Sequence, residues 1–473
     1  NIKVIIFLAF SLLLILLELI KWIWDGKITI LRSSLDKIVF ILLGTFIVSS
    51  IFAVDQWTSL WGFDGRLSTG LLSISVLILI FFLARGFLAK KEYILRSLEA
   101  LLLGISTLVV LSFLTTFKIN IWGWIPYIKE LFLPGLPLTF YSKELLVLAG
   151  VLIFVGIVLV VSYLKEKKYQ RVLLPFLGIA LGFIATAIFS MMQGIIIPVL
   201  VTIAIIFTSL LLFVKLEKNL KFLPIILGVL SVITLVFSIG LQYDSFKKAL
   251  VGETFEVVTP INLASDISWN VSSGVIVNDL FRGLVGMGND SFSIAYNQFK
   301  PSVASVISLG SASFATASSE VFTTLANRGI VGVVVWLLVG LALLKIFITD
   351  LSSTSKSEDG ILLLLLEVST ILIYMGSFFV SYSFLLYFVL FVLLLLVVLM
   401  RSNIYRNEEQ FILKFWAVNV GGLSQDVNKA INSVNWFLTG IMILVVFVGL
   451  MTLGSRTLAV MYSARAEAFR IEE

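Results

Sequence analysis

Residues 145–164 read LLVLAGVLIFVGIVLVVSYL, an apolar run without a single charge. About 20 such residues are what an α-helix needs to cross the hydrocarbon core of a bilayer. In lipid no water satisfies exposed peptide groups, so a run of this kind has to be helical. Comparable runs occur at 4–23, 38–53, 71–88, 98–117, 173–190, 194–214, 223–241, 329–348, 361–380, 384–400 and 437–453. Segments 190–194 and 381–383 are then tight turns between adjacent spans. The whole 473-residue chain agrees: it is 59% hydrophobic and 13% charged, with a mean hydropathy of +1.10, whereas soluble domains carry about 25% charged residues. These features predict an all-α fold, a polytopic transmembrane helical bundle of about 12 spans with a large, partly helical extracytoplasmic loop.

Assigning the loops alternately to two sides places most of the 34 basic residues on one of them, in short loops such as 165–171 and 215–221. By the positive-inside rule that side is cytoplasmic. Both ends of the chain then face outward. The expected organisation is eight spans over 1–241, a large outer loop at 242–328, four spans over 329–458, and the start of an extracytoplasmic helical tail at 459–473. Asn1 enters a span almost at once, which leads us to expect a further helix upstream. A shorter outer segment, 118–144, is rich in Trp, Tyr and Phe. Such rings anchor helices at the headgroup level or form a contact surface for a lipid carrier or sugar. The stretch 411–420, apolar beside Lys414, has the composition of an interfacial segment.

The chain has no cysteine and no histidine, which removes disulfides, thiolate metal sites and imidazole from any mechanism. No phosphate loop, nucleophile elbow or metal cluster is present, so no metal and no cofactor is expected. Nothing points to nucleic acid; the expected surroundings are membrane lipids. Glu18 and Glu367 read as the only clear acids inside spans, Glu18 within reach of Lys21. An ion-coupled transporter would carry more buried charge or matched broken helices in two halves.

Three outer segments stand apart. Residues 59–70 read SLWGFDGRLSTG, 280–301 read LFRGLVGMGNDSFSIAYNQFKP, and 318–332 read SSEVFTTLANRGIVG. Together they resemble the O-antigen ligase and polymerase family of membrane glycosyltransferases. Gly286, Gly288, Phe292 and Pro301 match that family's G-x-G-x-x-x-F…P segment, and Ala326, Gly329 and Gly332 match its A-E-x-G-x-x-G segment. Segment 134–137, Pro-Gly-Leu-Pro before a span, also looks like the family. Two departures are plain: Ser318-Ser319 stands where the family has His-Asn, and Gln193-Gly194 where many members have Arg-Gly.

The resemblance implies transfer of a glycan from a polyprenyl pyrophosphate, such as undecaprenyl pyrophosphate, to a hydroxyl on a lipid, polysaccharide or protein acceptor. It implies a bacterial cytoplasmic membrane and work on cell-envelope polysaccharide. Such chemistry needs cations around the departing pyrophosphate, and the planar fork of arginine suits phosphate oxygens. Arg66 is the leading candidate and Glu320 the candidate base. Arg282, Lys300, Arg328, Gln193, Ser318 and Ser319 are candidate substrate contacts. Each has a plainer reading: loop charges for Arg282 and Lys300, headgroup contact for Arg328, and a first-turn helix acid for Glu320. Gly286 and Gly288 read as turn glycines. Other functions remain open, namely an inactive scaffold for an extracytoplasmic repeat domain, or a lipid or glycan transporter.

Overall fold

The computed structural model describes residues 2–25, 27–62, 68–88, 90–117, 119, 142–215, 221–246, 263–301, 314–353, 358–405, 410–414, 435–452 and 454–455. All twelve apolar runs are helical within these residues. In chain order the helices are α1 (Ile2–Asp25), α2 (Asp36–Ile51), α3 (Gln56–Trp61), α4 (Leu71–Phe87), α5 (Lys91–Thr116) and α6 (Ser142–Lys165). Then come α7 (Leu173–Gln193), α8 (Ile196–Lys215), α9 (Phe222–Gly240), α10 (Ser265–Asn278), α11 (Leu280–Val285) and α12 (Phe292–Phe299). The last are α13 (Glu320–Ser353), α14 (Glu358–Gly376), α15 (Phe384–Tyr405) and α16 (Asn435–Thr452). Ten of them are long and apolar enough to cross a membrane. Helices α2 and α4 are shorter, 16 and 17 residues, so each reaches only about 25 Å.

The run that opened the sequence reading is the centre of the bundle. Helix α6 is buried along its whole apolar length, while the windows of α1, α9 and α16 are mostly uncovered. The neighbours of α6 are α5, α7, α8 and α14. Small residues bring α6 and α7 together: a Cβ on Gly156 would lie 2.6 Å from Ile179 Cγ1, and one on Gly182 equally close to Ile153 Cγ1. Close backbone approach through small residues is how helices associate where lipid supplies no hydrophobic drive. The outer faces of α7, α8 and α9 leave Leu173, Phe176, Ile203, Leu210, Ile225 and Val236 more than half exposed. An apolar surface this continuous is foreign to a soluble monomer and natural against acyl chains. The chain is an integral, multi-pass membrane protein.

Contacts between loops fall at two opposite ends of the bundle. At one end strand β1 (Lys27–Leu31) pairs antiparallel with β2 (Gln410–Lys414), Lys91 meets Asp359 at 2.6 Å, and Arg401 reaches Ser34. This is the end that carries the basic loops. At the other end Ser383 N–H donates to Glu144 (2.7 Å) and Gln242 to the Ser190 carbonyl (2.9 Å). The β1–β2 pair is a small departure from the expected all-helical fold, and it places 410–414 in a strand. Residues 415–420 and 456–473 lie outside the described residues.

Buried acids are more numerous than the sequence suggested. Glu18 does pair with Lys21, at 3.5 Å. Asp350, Glu144 and Glu320 are buried as well as Glu367. Asp350 escaped because α13 runs on to Ser353, past the apolar run ending at 348; it is held by Arg401 at 3.2 Å.

Candidate functional site

Part of the large loop folds over the end of the bundle opposite β1 and β2. Helices α10 to α12 enclose a small core of Val271, Val275, Met287, Phe292, Ala295 and Tyr296 against Ala326 of α13. Asp279 starts α11 by accepting from Phe281 N–H and Arg282 N–H. Gly286, at φ +83°, ends it.

Helix α13 is two helices joined at Gly329, whose φ is +65°. The first piece begins at Glu320. A break leaves carbonyls without helical partners, and here the 286–291 turn supplies them. Met287 N–H donates to the Ala326 carbonyl (2.9 Å) and Gly288 N–H to the Asn327 carbonyl (3.0 Å). The Ser49 hydroxyl of α2 donates to the same Asn327 carbonyl (2.6 Å).

The turn is tied to the segment between α2 and α4 too. Asn289 N–H donates to Ser59 Oγ (2.8 Å), and its side-chain amide to the Phe46 carbonyl and Ser50 Oγ. Asp290 has a left-handed φ of +58°, which Asp tolerates better than most residues. Its carboxylate accepts from the hydroxyls of Ser68 and of Thr69 (2.7 Å for the latter). Gly62 closes against the same place: a Cβ there would lie 2.6 Å from Ser68 N and 3.1 Å from Asp290 Oδ2.

Beneath the turn lies a buried ionic cluster. Arg328 Nη2 donates to Glu320 Oε1 (3.1 Å), Thr324 Oγ1 (2.5 Å) and the Tyr387 hydroxyl (3.2 Å). Its guanidinium stacks over the Phe46 ring at 4.2 Å. Glu320 Oε1 also accepts from Tyr387 OH (2.5 Å), and Oε2 from Tyr382 N–H (2.9 Å). Removing two charges from water costs several kcal/mol per ion, and these hydrogen bonds offset much of it. Arg328 Nη1 is nevertheless buried without a hydrogen-bond partner among the described residues, as are Asn327 Oδ1, Asn289 Oδ1, Ser318 Oγ and Tyr296 OH. Burial pushes the Tyr296 hydroxyl above its ordinary value.

The candidates from sequence separate into three groups. Glu320 and Arg328 come together, with Ser318 and Ser319 buried beside them. Arg282 is half-buried and donates to the Phe52 carbonyl, while Lys300 sits 5.6 Å from the Tyr296 ring centroid; neither joins the cluster. Arg66, the side chain of Gln193 and the aromatic segment 120–141 lie outside the described residues. Sequence reading missed Asp290, Asn289, Tyr382 and Tyr387. The one local signal was Asp after Gly-Met-Gly-Asn, a turn pattern able to hold a positive φ. Among the described residues no group of three or more Asp or Glu is arranged to hold a metal ion. The chain matches no protein-family model and no curated protein.

Proposed function

We propose that the protein is a membrane glycosyltransferase of the ligase or polymerase type, moving a glycan from a polyprenyl pyrophosphate to an acceptor hydroxyl at the outer end of the bundle. One observation carries this reading. Of the three segments singled out in the sequence, 59–70 lies more than 200 residues before 280–301 and 318–332, yet all three meet around Asp290, Asn327 and Arg328. Arg328 is fixed in a low-dielectric setting, where a guanidinium acts more strongly on phosphate than it would in water. Its Nη1, buried and unpaired, is the group offered to the pyrophosphate. Glu320, which accepts from Arg328, the Tyr387 and Thr324 hydroxyls and Tyr382 N–H, is then a positioning residue rather than the base.

In the reaction the acceptor oxygen bonds to the anomeric carbon. The bond from that carbon to the pyrophosphate oxygen breaks, its electron pair leaving with the polyprenyl pyrophosphate. The hydroxyl proton passes to a carboxylate. Asp290, whose carboxylate accepts from the Ser68 and Thr69 hydroxyls, is assigned that step, because Glu320 is committed to Arg328. Arg66 is assigned to the pyrophosphate on its chemistry and its place between Gly62 and Ser68.

A second reading, an inactive scaffold of the same fold, draws on the buried Ser318-Ser319 pair and the filled coordination of Glu320. The deciding experiment is transfer from a purified lipid-linked donor, with folding checked by thermal denaturation. Arg66→Lys and Asp290→Asn should each lower turnover by tenfold or more at unchanged melting temperature. Full activity in both variants would end the assignment of roles. An inactive parent protein would select the scaffold.

A further inference from the structure

Glu367 takes no part in the proposed reaction. It sits on α14, about 12 Å along the helix from Asp359, towards the end of the bundle that carries β1 and β2. Only 3% of it is exposed, and neither carboxyl oxygen accepts a hydrogen bond among the described residues. Its neighbour is a second carboxyl group. Asp350 of α13, fully buried, lies within hydrogen-bonding reach of Glu367. Asp350 accepts from the Tyr405 hydroxyl (2.9 Å) and pairs with Arg401 Nε (3.2 Å). Arg401 is therefore engaged with Asp350, and it acts on Glu367 more weakly than Asp350 does. Lys345 of α13 is exposed, and Asp359 of α14 is paired with Lys91. Helices α6 and α8 also pack on α14; their charges lie only near their ends, at Lys143, Glu144, Lys165 and Lys215.

We propose that Glu367 and Asp350 form a proton-binding site, in which one proton, carried by Glu367, is shared with the Asp350 carboxylate and ties α14 to α13. Without it, two negative charges would face each other in apolar surroundings. An ionised carboxyl group buried without a partner takes up a proton instead, and two carboxylates a hydrogen bond apart cannot both stay ionised. Asp350 keeps its charge because Arg401 and the Tyr405 hydroxyl serve it. Glu367, which accepts from no donor, keeps the proton and donates it to Asp350. A metal cation would supply the same positive charge, but it needs several oxygen ligands. Among the described residues no third Asp or Glu joins the pair.

The test is infrared spectroscopy of the full chain in lipid at pH 7, where a protonated carboxyl group has a carbonyl stretch separate from the carboxylate bands. The parent should show such a band. Glutamate labelled with carbon-13 at the side-chain carboxyl, supplied in cell-free synthesis, should shift it, and Glu367→Gln should lose it. The amide of Glu367→Gln keeps a neutral side chain and a donor towards Asp350, so this variant should melt close to the parent. No glutamate band in the parent, or the same band in parent and variant, would overturn the proposal. So would failure of Glu367→Gln to fold, since the fold would then require a charge at this position. A metal cation gives a different pattern: melting of the parent rises in sodium chloride but not in choline chloride at equal ionic strength, with no such rise in Glu367→Gln. That pattern would overturn the proton as the ligand.

Discussion

Gly286 lies against the backbone just before Gly329, and Gly329 against the backbone just before Gly286. A Cβ on Gly286 would lie 2.1 Å from the Asn327 carbonyl oxygen, and a Cβ on Gly329 2.3 Å from that of Leu284. Both also have positive φ, a conformation other residues adopt only at a cost. The interlock joins the large loop to the mouth of the bundle, and it sets Arg328, the residue before Gly329, under the 286–291 turn.

Gly286→Ala and Gly329→Ala should therefore each destabilise the protein by several kcal/mol. Both clash with backbone rather than with a yielding side chain, and left-handed strain adds roughly 1–2 kcal/mol. Gly104→Ala is the counterpart: it sits inside α5 with nothing within 4 Å of the added methyl. There the helix propensity of Ala should stabilise by about 0.5–1 kcal/mol. Melting temperature in detergent measures all three. Equal behaviour at the three positions would contradict the interlock.

The buried pair of Glu320 and Arg328 calls for a double-mutant cycle. Removing one partner leaves an uncompensated charge, at about 3–5 kcal/mol. Glu320→Gln and Arg328→Met should each destabilise on that scale, and the double variant by clearly less than their sum. Denaturant unfolding in mixed micelles measures the coupling. Additive losses would mean that Tyr387, Tyr382 and Phe46 hold each group independently.

Asp55 gives a dependence on pH. Its carboxylate caps α3, accepting from Trp57 N–H, Thr58 N–H and the Thr58 hydroxyl (2.6 Å). Chiefly through the Thr58 hydroxyl, these bonds hold its pKa below the ordinary value. A depressed native pKa means that the contribution is complete above the unfolded value of about 3.9 and fades as pH falls through the native one. The melting temperature of Asp55→Ala should lie below that of the parent at pH 6, by an amount fitting a cap of about 1 kcal/mol. The gap should narrow below pH 4. A gap independent of pH would assign the loss to packing.

The spans were legible because lipid demands a helix from every apolar run of sufficient length, and that demand is local. What joins them was not. Asp290 meets Ser68 and Thr69 across more than 200 residues, and no periodicity marks such a pair. Asp350 and Arg401 lie past the ends of their apolar runs, where hydropathy stops reporting although the helices continue. Glu320 and Arg328 could be named as candidates from their chemistry, but their ion pair depends on Tyr387 and Phe46, which look like ordinary core residues in sequence.

Loop contacts divide between two ends of the bundle, and Lys and Arg crowd the loops of the end that holds Lys91, Lys168 and Arg401. Short loops rich in Lys and Arg stay on the cytoplasmic side, so the end with Asp290 and α10 should face out. The chain has no cysteine, so single cysteines report without background. Asn278→Cys, exposed at the end of α10, should react in intact cells with a reagent that does not cross the membrane. Lys168→Cys, 52% exposed at the other end, should react only after the membrane is opened. The reverse pattern would invert the protein, move the Arg328 cluster to the cytoplasmic side, and leave the proposed transfer of exported carrier-linked glycan without access to its donor.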